Sequence, residues 1–411
     1  MKVTFFLGQF PVSSETFVIS QIVGLIERGL DVEIVAISQG DMTKTHSLVD
    51  KYKLLDKTTY LTQENANQSA LQAKLSRILG VLRPSRFAKI LSALNYKQFG
   101  IHSKSLLLPS IAGRNSRVIK SDVFIAHFGT AGVVAEKMRR LGLLEGKILT
   151  IFHGADISVK EILNTFSGDY KQLFVSGEGM LPISNLWRNK LIELGCNEQK
   201  ITVNRMGINI ELFRSRAFEQ PLQQPLRIIS VARFIEKKGL QDAINAMQLL
   251  KEQGVDFEYQ IVGDGPLKNE IIEQIEKLKL QREIKLLGFQ PQEQVTSLLE
   301  ASDVFLLPSV VAKNGDMEGI PVALMEAMAM GLITVSTFHS GIPELIQHEV
   351  NGLLVNERSP NELAQVLSKL STDGYDIEAI RKNALHTIDT QFNQSKLYDE
   401  LAQISKQTHE C

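Results

Sequence analysis

Glu318-Gly319-Ile320-Pro321-Val322-Ala323-Leu324-Met325-Glu326-Ala327-Met328-Ala329-Met330-Gly331 reads as a loop feeding a short helix. Pro321 suits the first helical position, where its missing N–H costs nothing, and Gly331 suits the position just past the end. A helix of roughly ten residues is therefore expected between them. Upstream, Val304–Pro308 is an apolar run fit for a buried strand, and Ile333–Thr337 downstream is another. Strand, helix and strand in this order are one unit of a parallel sheet wrapped in helices.

The same rhythm extends in both directions. In the second half the expected strands are Arg227–Arg233, Glu258–Val262, Ile284–Gly288 and Gly352–Val355, with helices at Leu240–Gln253, Leu267–Leu278 and Gln292–Glu300. In the first half they are Val3–Leu7, Val32–Ile37, Val123–His127, Ile148–His153, Leu181–Ser184 and Ile201–Arg205. Helical patterns cover Glu15–Arg28, Thr130–Leu141 and Leu186–Leu194. Ser215–Pro225 has no periodicity and two prolines among glutamines, so it is the expected linker. The expectation is an α/β protein of two doubly wound domains, residues 1–215 and 226–387, facing each other across a cleft. The stretch 388–411 is expected to join the first domain. Open sheets of this kind bind ligands at the carboxyl ends of their strands.

Composition excludes several classes. The 411 residues carry a formal net charge of -1, unlike a protein built to hold nucleic acid. Two cysteines, Cys196 and Cys411, cannot make a disulfide framework and point to a reducing compartment. The apolar run Val3–Leu7 is too short for a secretory signal, and no stretch is long and apolar enough to span a membrane. A cytoplasmic protein is expected.

Glu318 lies in the loop before the helix, and Glu326 about 8 Å along its axis. That span matches a nucleotide-sugar lying over the helix start, with one carboxylate near the hexose and the other near the ribose. A carboxylate accepts two hydroxyl hydrogens at once, which suits vicinal diols, while free N–H groups and the helix dipole favour the phosphates between. The plainer alternative is a capping acid and a solvated glutamate. Its weakness is that the residues around Glu326 are apolar on nearly every face. Arg233 and Lys238, five apart at the end of a strand, form a plausible diphosphate clamp that would stabilise charge on a leaving phosphate.

Arg233…Lys238-Gly239, Val262-Gly263-Asp264-Gly265-Pro266, Asp303–Ser309 and Glu318-x7-Glu326, in that order, resemble retaining glycosyltransferases of family 4, which have the two-domain GT-B fold. Phe10–Phe17, Ala126–Gly129, Phe152–Ile157 and Gly315–Pro321 are most similar to the enterobacterial exopolysaccharide (colanic acid and amylovoran type) or capsule enzymes. The resemblance implies that Arg233 and Lys238 hold the donor diphosphate, Glu318 the hexose and Glu326 the ribose. Gly263 and the backbone N–H groups of Gly319 and Ile320 would face the donor, and His153 would reach the sugar at the reacting centre. It implies retention by same-face attack and no metal or other cofactor. The first choice of transferred sugar is galactose from UDP-galactose. Arg205–Asn209 and Ser340-Gly341 depart from the family pattern, and both bear on donor identity.

On the acceptor side, Pro11–Thr16 follows the first strand and opens a helix, with Ser13 or Ser14 able to cap it or meet an acceptor. His127 ends a strand facing the cleft, in a catalytic or structural role, and the resemblance adds Asp156. The remaining histidines lack zinc-ligand spacing. Gly263–Lys268 lacks the third glycine of a dinucleotide fingerprint.

From Asn65 through Ser121 there is no acidic residue, yet there are ten basic ones: Lys74, Arg77, Arg83, Arg86, Lys89, Lys97, Lys104, Arg114, Arg117 and Lys120. The stretch from about Ser69 to Ile111 reads as largely helical, with a break near Pro84. A basic amphipathic helix, with Leu75, Ile78, Leu79, Leu82, Phe87, Ile90, Leu91 and Leu94 as apolar partners, would dock the first domain on an anionic membrane surface. A polyprenyl-diphosphate-linked oligosaccharide would be the acceptor there. Two rivals stay open: a nucleotide-sugar epimerase of the same fold, and a non-catalytic nucleotide-sugar-sensing subunit of a polysaccharide assembly.

Overall fold

The computed structural model describes residues 1–12, 15–43, 45–82, 87–115, 117–213, 221–372 and 374–410. Ser13, Ser14, Arg83, Pro84, Arg86, Cys411 and most of the expected linker lie outside them. The described strands form two six-stranded sheets. The first holds β1 (Lys2–Phe10), β2 (Asp31–Gln39), β3 (Thr58–Tyr60), β4 (Ile119–His127), β5 (Leu144–Phe152) and β6 (Gly179–Pro182), in the order β3-β2-β1-β4-β5-β6. The second holds β7 (Leu226–Val231), β8 (Phe257–Val262), β9 (Ile284–Gly288), β10 (Val304–Leu307), β11 (Ile333–Thr337) and β12 (Leu353–Val355), in the order β12-β11-β10-β7-β8-β9. Their pairings are parallel. Counted from its own first strand, each sheet has the same order, and each has its switch point beside that strand: β1/β4 and β7/β10.

Both faces of each sheet are covered, and the central strand β10, Val304–Leu307, is apolar and buried throughout for that reason. In β1, Val3, Phe5 and Leu7 enter one core while Phe6 enters the other. The second sheet divides likewise, Ile228 to one side and Ile229 to the other. These two sheets across an interdomain cleft are the GT-B architecture expected.

Three local expectations need correction. Ile201–Arg205 is not a strand: Ile201 makes an isolated bridge to Met180, two further N–H groups reach the β6 edge, and Arg205 then turns away to pair with Glu344. Pro321 is the N-cap and the helix proper is Val322–Ala329, eight residues long. Helix Lys160–Ser176, built on a stretch of mediocre propensity containing Gly168, was not anticipated. Tyr170, Leu173 and Phe174, at helical spacing, bury against the first core and override propensity.

Helix Gln394–Glu410 leaves the second domain and packs on the first. Leu401 and Ala402 enter the first core, Arg28 pairs with Asp399 at 2.7 Å, and Gly24 leaves room for the Tyr398 ring. The crossing point is fastened by backbone bonds between Ile208 and both Phe392 and Gln394.

The basic stretch is helical at Ala70–Val81, Phe87–Ala93 and Leu107–Arg114, and three of its cations turn inward. Arg77 donates to both oxygens of Glu64, Arg114 to the Ser76 carbonyl and Lys89 to the Gly142 carbonyl. These cations serve the body of the domain, and the leucines of the first two helices face out while Leu107 and Leu108 are buried.

Candidate functional site

Among the described residues singled out from the sequence, His127, His153 and Asp156 lie at the carboxyl ends of β4 and β5, Arg233 and Lys238 follow β7, Gly263 follows β8, and Glu318 to Glu326 follow β10, beside the two switch points. After β7 the chain forms a short loop that ends in Lys238 and Gly239. It is pinned to the loop after β8, since Phe234 N–H donates to the Asp264 carbonyl at 2.9 Å. Gly263, at φ +137°, lies against the Ala232 carbonyl where no side chain fits. Gly263 thus sets the loop's position through its backbone. Arg233 stands exposed, with no ion-pair partner among the described residues.

Glu318 is 6% exposed, and its Oε1 lies 2.7 Å from Lys238 Nζ. Burial opposes its charge, but the Lys238 and Lys237 ammonium groups outweigh burial and hold its carboxyl below the ordinary range. Lys238 therefore neutralises Glu318. Lys237 turns the other way, to Asp316 at 3.0 Å.

The backbone of Glu318 is held independently. Its N–H donates to His339 Nε2 at 3.1 Å, and its carbonyl accepts from Ser340 Oγ at 2.5 Å. Because the N–H can only donate, His339 Nε2 is bare, so Nδ1 carries the proton and donates to Glu357 at 2.6 Å. Sequence reading missed this His339–Glu357 pair, whose partners lie 18 residues apart and carry no recognisable spacing. Ser340 holds a left-handed conformation, φ +49°, which explains why glycine is the usual residue there in the family pattern.

The N–H groups of Gly319 and Ile320 have no acceptor among the described residues, and they precede the helix whose dipole favours an anion. Glu326 is partly exposed on that helix; no side chain among the described residues bonds to its carboxyl, and burial pushes it up to about 7.

Across the gap, a Cβ at Gly319 would come within 3.1 Å of the His153 carbonyl and collide with Ile183. This contact sets the Gly319 backbone against the end of β5 at His153. His153 Nε2 lies 3.1 Å from His127 Nδ1, the rings nearly parallel at 5.2 Å. Phe17 and Phe128 flank His153 at 4.9 and 4.5 Å. Burial lowers His153 to about 3, and burial followed by His153 itself holds His127 well below the ordinary value, so both imidazoles are neutral.

Asp156 does not face an open acceptor space. It is buried, and its carboxylate accepts from the backbone N–H groups of Gly129, His153 and Gly154 at 2.8, 3.1 and 2.9 Å. Burial raises it to about 6 despite those bonds. Its role is to tie the ends of β4 and β5, and hence both histidines, into one frame. Glu15 occupies the N-cap of helix Thr16–Glu27, and burial raises its carboxyl to about 7.

A model described as glycosyl transferases group 1 matches residues 214–387. The chain is 47% identical over 405 residues to the amylovoran biosynthesis glycosyltransferase AmsK of Erwinia amylovora, covering 98% of this chain and 99% of that one. It is 47% identical over 409 residues to WcaL of Escherichia coli, a glycosyltransferase named for colanic acid biosynthesis, with the same coverage. Among solved structures, Anabaena HepE in complex with UDP and glucose matches with TM-score 0.70 at 18% identity, covering 99% of this chain and 100% of that one. The apo form of the lipopolysaccharide outer core galactosyltransferase WaaB matches with TM-score 0.65 at 16% identity and the same coverage.

Proposed function

The chain belongs to the amylovoran and colanic acid biosynthesis glycosyltransferases, and we propose that within this family it moves a hexose from a nucleotide-diphosphate donor, with retention of configuration, onto a polyprenyl-diphosphate-linked oligosaccharide. The observation that carries the reading is the Lys238–Glu318 pair at 2.7 Å beneath the free N–H groups of Gly319 and Ile320, with His153 brought against that loop. Glu318 and the His153 backbone would receive the sugar hydroxyls. Glu326 would receive the ribose, and Arg233 and Lys238 the diphosphate.

In the proposed reaction the bond between the anomeric carbon and the leaving phosphate oxygen breaks. The acceptor hydroxyl bonds to that carbon on the same face, and the departing phosphate oxygen takes its proton. Negative charge grows on the diphosphate, where Arg233, Lys238 and the N–H groups of Gly319 and Ile320 would meet it, so the site would favour the transition state over the ground state. The cations supply the electrostatic work without a metal. HepE, which has this fold, has been seen with UDP, so UDP is the first base to test; galactose remains the first sugar. Since the acceptor is lipid-linked, the enzyme would work peripherally at the inner face of the cytoplasmic membrane, the segment 65–121 providing the contact. Among the described residues no helix is long and apolar enough to cross a membrane.

Purified protein screened by thermal shift against UDP-, GDP- and ADP-sugars should be stabilised by one base class, and the preferred donor should yield an α-linked product from an α-linked donor. A product of inverted configuration rejects retention. An epimer formed from donor alone selects the epimerase, and binding without transfer or hydrolysis selects the sensing subunit.

A further inference from the structure

We propose that helices Ala70–Val81 and Phe87–Ala93 form an apolar insertion surface, which seats the first domain in the hydrocarbon margin of an anionic bilayer. Helix Ala70–Val81 is built inside out. At about 100° per residue, Leu71, Leu75, Ile78, Leu79 and Leu82 share one arc of about 100°. All five are exposed, Leu71 at 69%, Leu79 at 63% and Leu82 at 72%. The opposite face is small and polar and meets the body of the domain. Arg77 reaches Glu64, the Ser76 carbonyl takes Arg114 Nη2 at 2.7 Å, and Gly80 passes Gly113 so closely that a Cβ on Gly113 would strike its carbonyl.

Helix Phe87–Ala93 repeats the arrangement. Ile90 and Ala93 are buried, while Phe87, 67% exposed, Leu91 and Leu94 point out, and Tyr96 and Ile101 extend the surface. Among the described residues, ten of the nineteen exposed large apolar side chains fall between Leu71 and Ile101. A helix facing water shows the reverse polarity, so this face is made for a non-aqueous partner.

Charge decides which partner. Lys74, Lys97 and Lys104 stand exposed around the stripe, and residues 65–121 contain no acid. A second copy presenting the same face would oppose like charges, whereas an anionic bilayer offers phosphates at the rim and acyl chains at the centre. Attachment then rests on the leucines, with the lysines steering. The inference rests on the lipid-linked acceptor reading for its setting; its test does not.

The full chain is sedimented with vesicles of phosphatidylcholine containing roughly 30% phosphatidylglycerol, at low salt and at about 0.5 M salt. Binding should persist at high salt. Leu71→Gln/Leu75→Gln/Leu79→Gln should lower it about tenfold or more, and Lys74→Gln/Lys97→Gln/Lys104→Gln only about threefold. The Trp fluorescence introduced by Phe87→Trp should shift to the blue on vesicle addition. Normal binding by the leucine variant, loss of all binding at high salt, or a blue shift set by protein concentration without lipid would each overturn the proposal, the last in favour of self-association. Stabilisation by UDP should be the same in the leucine variant and the parent. If UDP stabilises neither, the donor reading fails while the lipid result stands.

Discussion

The carboxylate of Glu344, on the second domain, accepts the backbone N–H of Asn185 at 3.0 Å, in the first turn of a first-domain helix. It also takes the Leu186 N–H at 3.0 Å and the Asn185 side-chain amide at 2.9 Å, and it pairs with Arg205 at 3.1 Å. One domain thus caps a helix of the other. The cap bonds last only while the domains stay together, so Glu344 works as a clasp on the cleft.

Glu344→Ala should therefore loosen the closed arrangement. A lost cap costs about 1–2 kcal/mol, enough to populate an open form. Small-angle scattering should show a larger radius of gyration, and the donor KM should rise several-fold with a smaller change in kcat. An unchanged scattering profile would show that other contacts hold the domains.

Lys238→Met should be among the most damaging substitutions, because it strands a buried carboxylate. Breaking one side of such a pair costs about 3–5 kcal/mol. The pH dependence should shift. In the parent, the carboxyl of Glu318 is depressed, so its stabilising contribution is present above the ordinary carboxylate range and lost as pH falls through its folded value. In the variant, Lys237 is left against burial and the carboxyl rises from its parent value, so the variant's loss of stability should be smaller at pH 5 than at pH 7.5. Urea melts at the two pH values check this.

Glu326 has the opposite signature. Its carboxyl is raised by burial to about 7, so its contribution to stability is full below the unfolded value of about 4.3 and disappears as pH rises through about 7. Glu326→Gln should gain melting temperature relative to the parent between pH 5 and 8. If the carboxylate receives the ribose diol, donor affinity in the parent should strengthen over the same interval. The Gln variant should flatten that profile; a parallel profile would remove Glu326 from donor binding.

His127→Phe keeps a stacked ring against His153 but removes the bond at 3.1 Å. Turnover should fall by about tenfold or more while the donor KM changes little, because the imidazole loses its fixed tautomer. Neither histidine should titrate between pH 5.5 and 8, since burial holds both neutral. Nitrogen-15 chemical shifts of the two rings check this, and an imidazolium signal near pH 6 would refute the arrangement.

The alternating pattern made the sheets legible because both faces of each sheet are covered, so central strands such as Val304–Leu307 have no polar interruption. Glu318 and Glu326 were legible because a proline and a glycine bracket their helix. Helix Lys160–Ser176 was not, since only the core supplied by Phe152 and its neighbours makes its weak sequence helical. Asp156 could be named but not understood: its carboxylate turns inward to three N–H groups that belong to the ends of two strands.

Local patterning is sufficient for layers, for the division into two domains and for the order of the motif residues, because each depends on propensity and on polarity at short range. Packing settled the rest. It paired Lys238 with Glu318, set His339 under the Glu318 backbone, stacked His127 on His153, joined Glu344 to Asn185 and turned the leucines of Ala70–Val81 outward. Every one of these links residues far apart along the chain, or depends on which helix face finds a partner. A hydrogen bond, an ion pair or a buried face exists only once the whole fold has placed both sides.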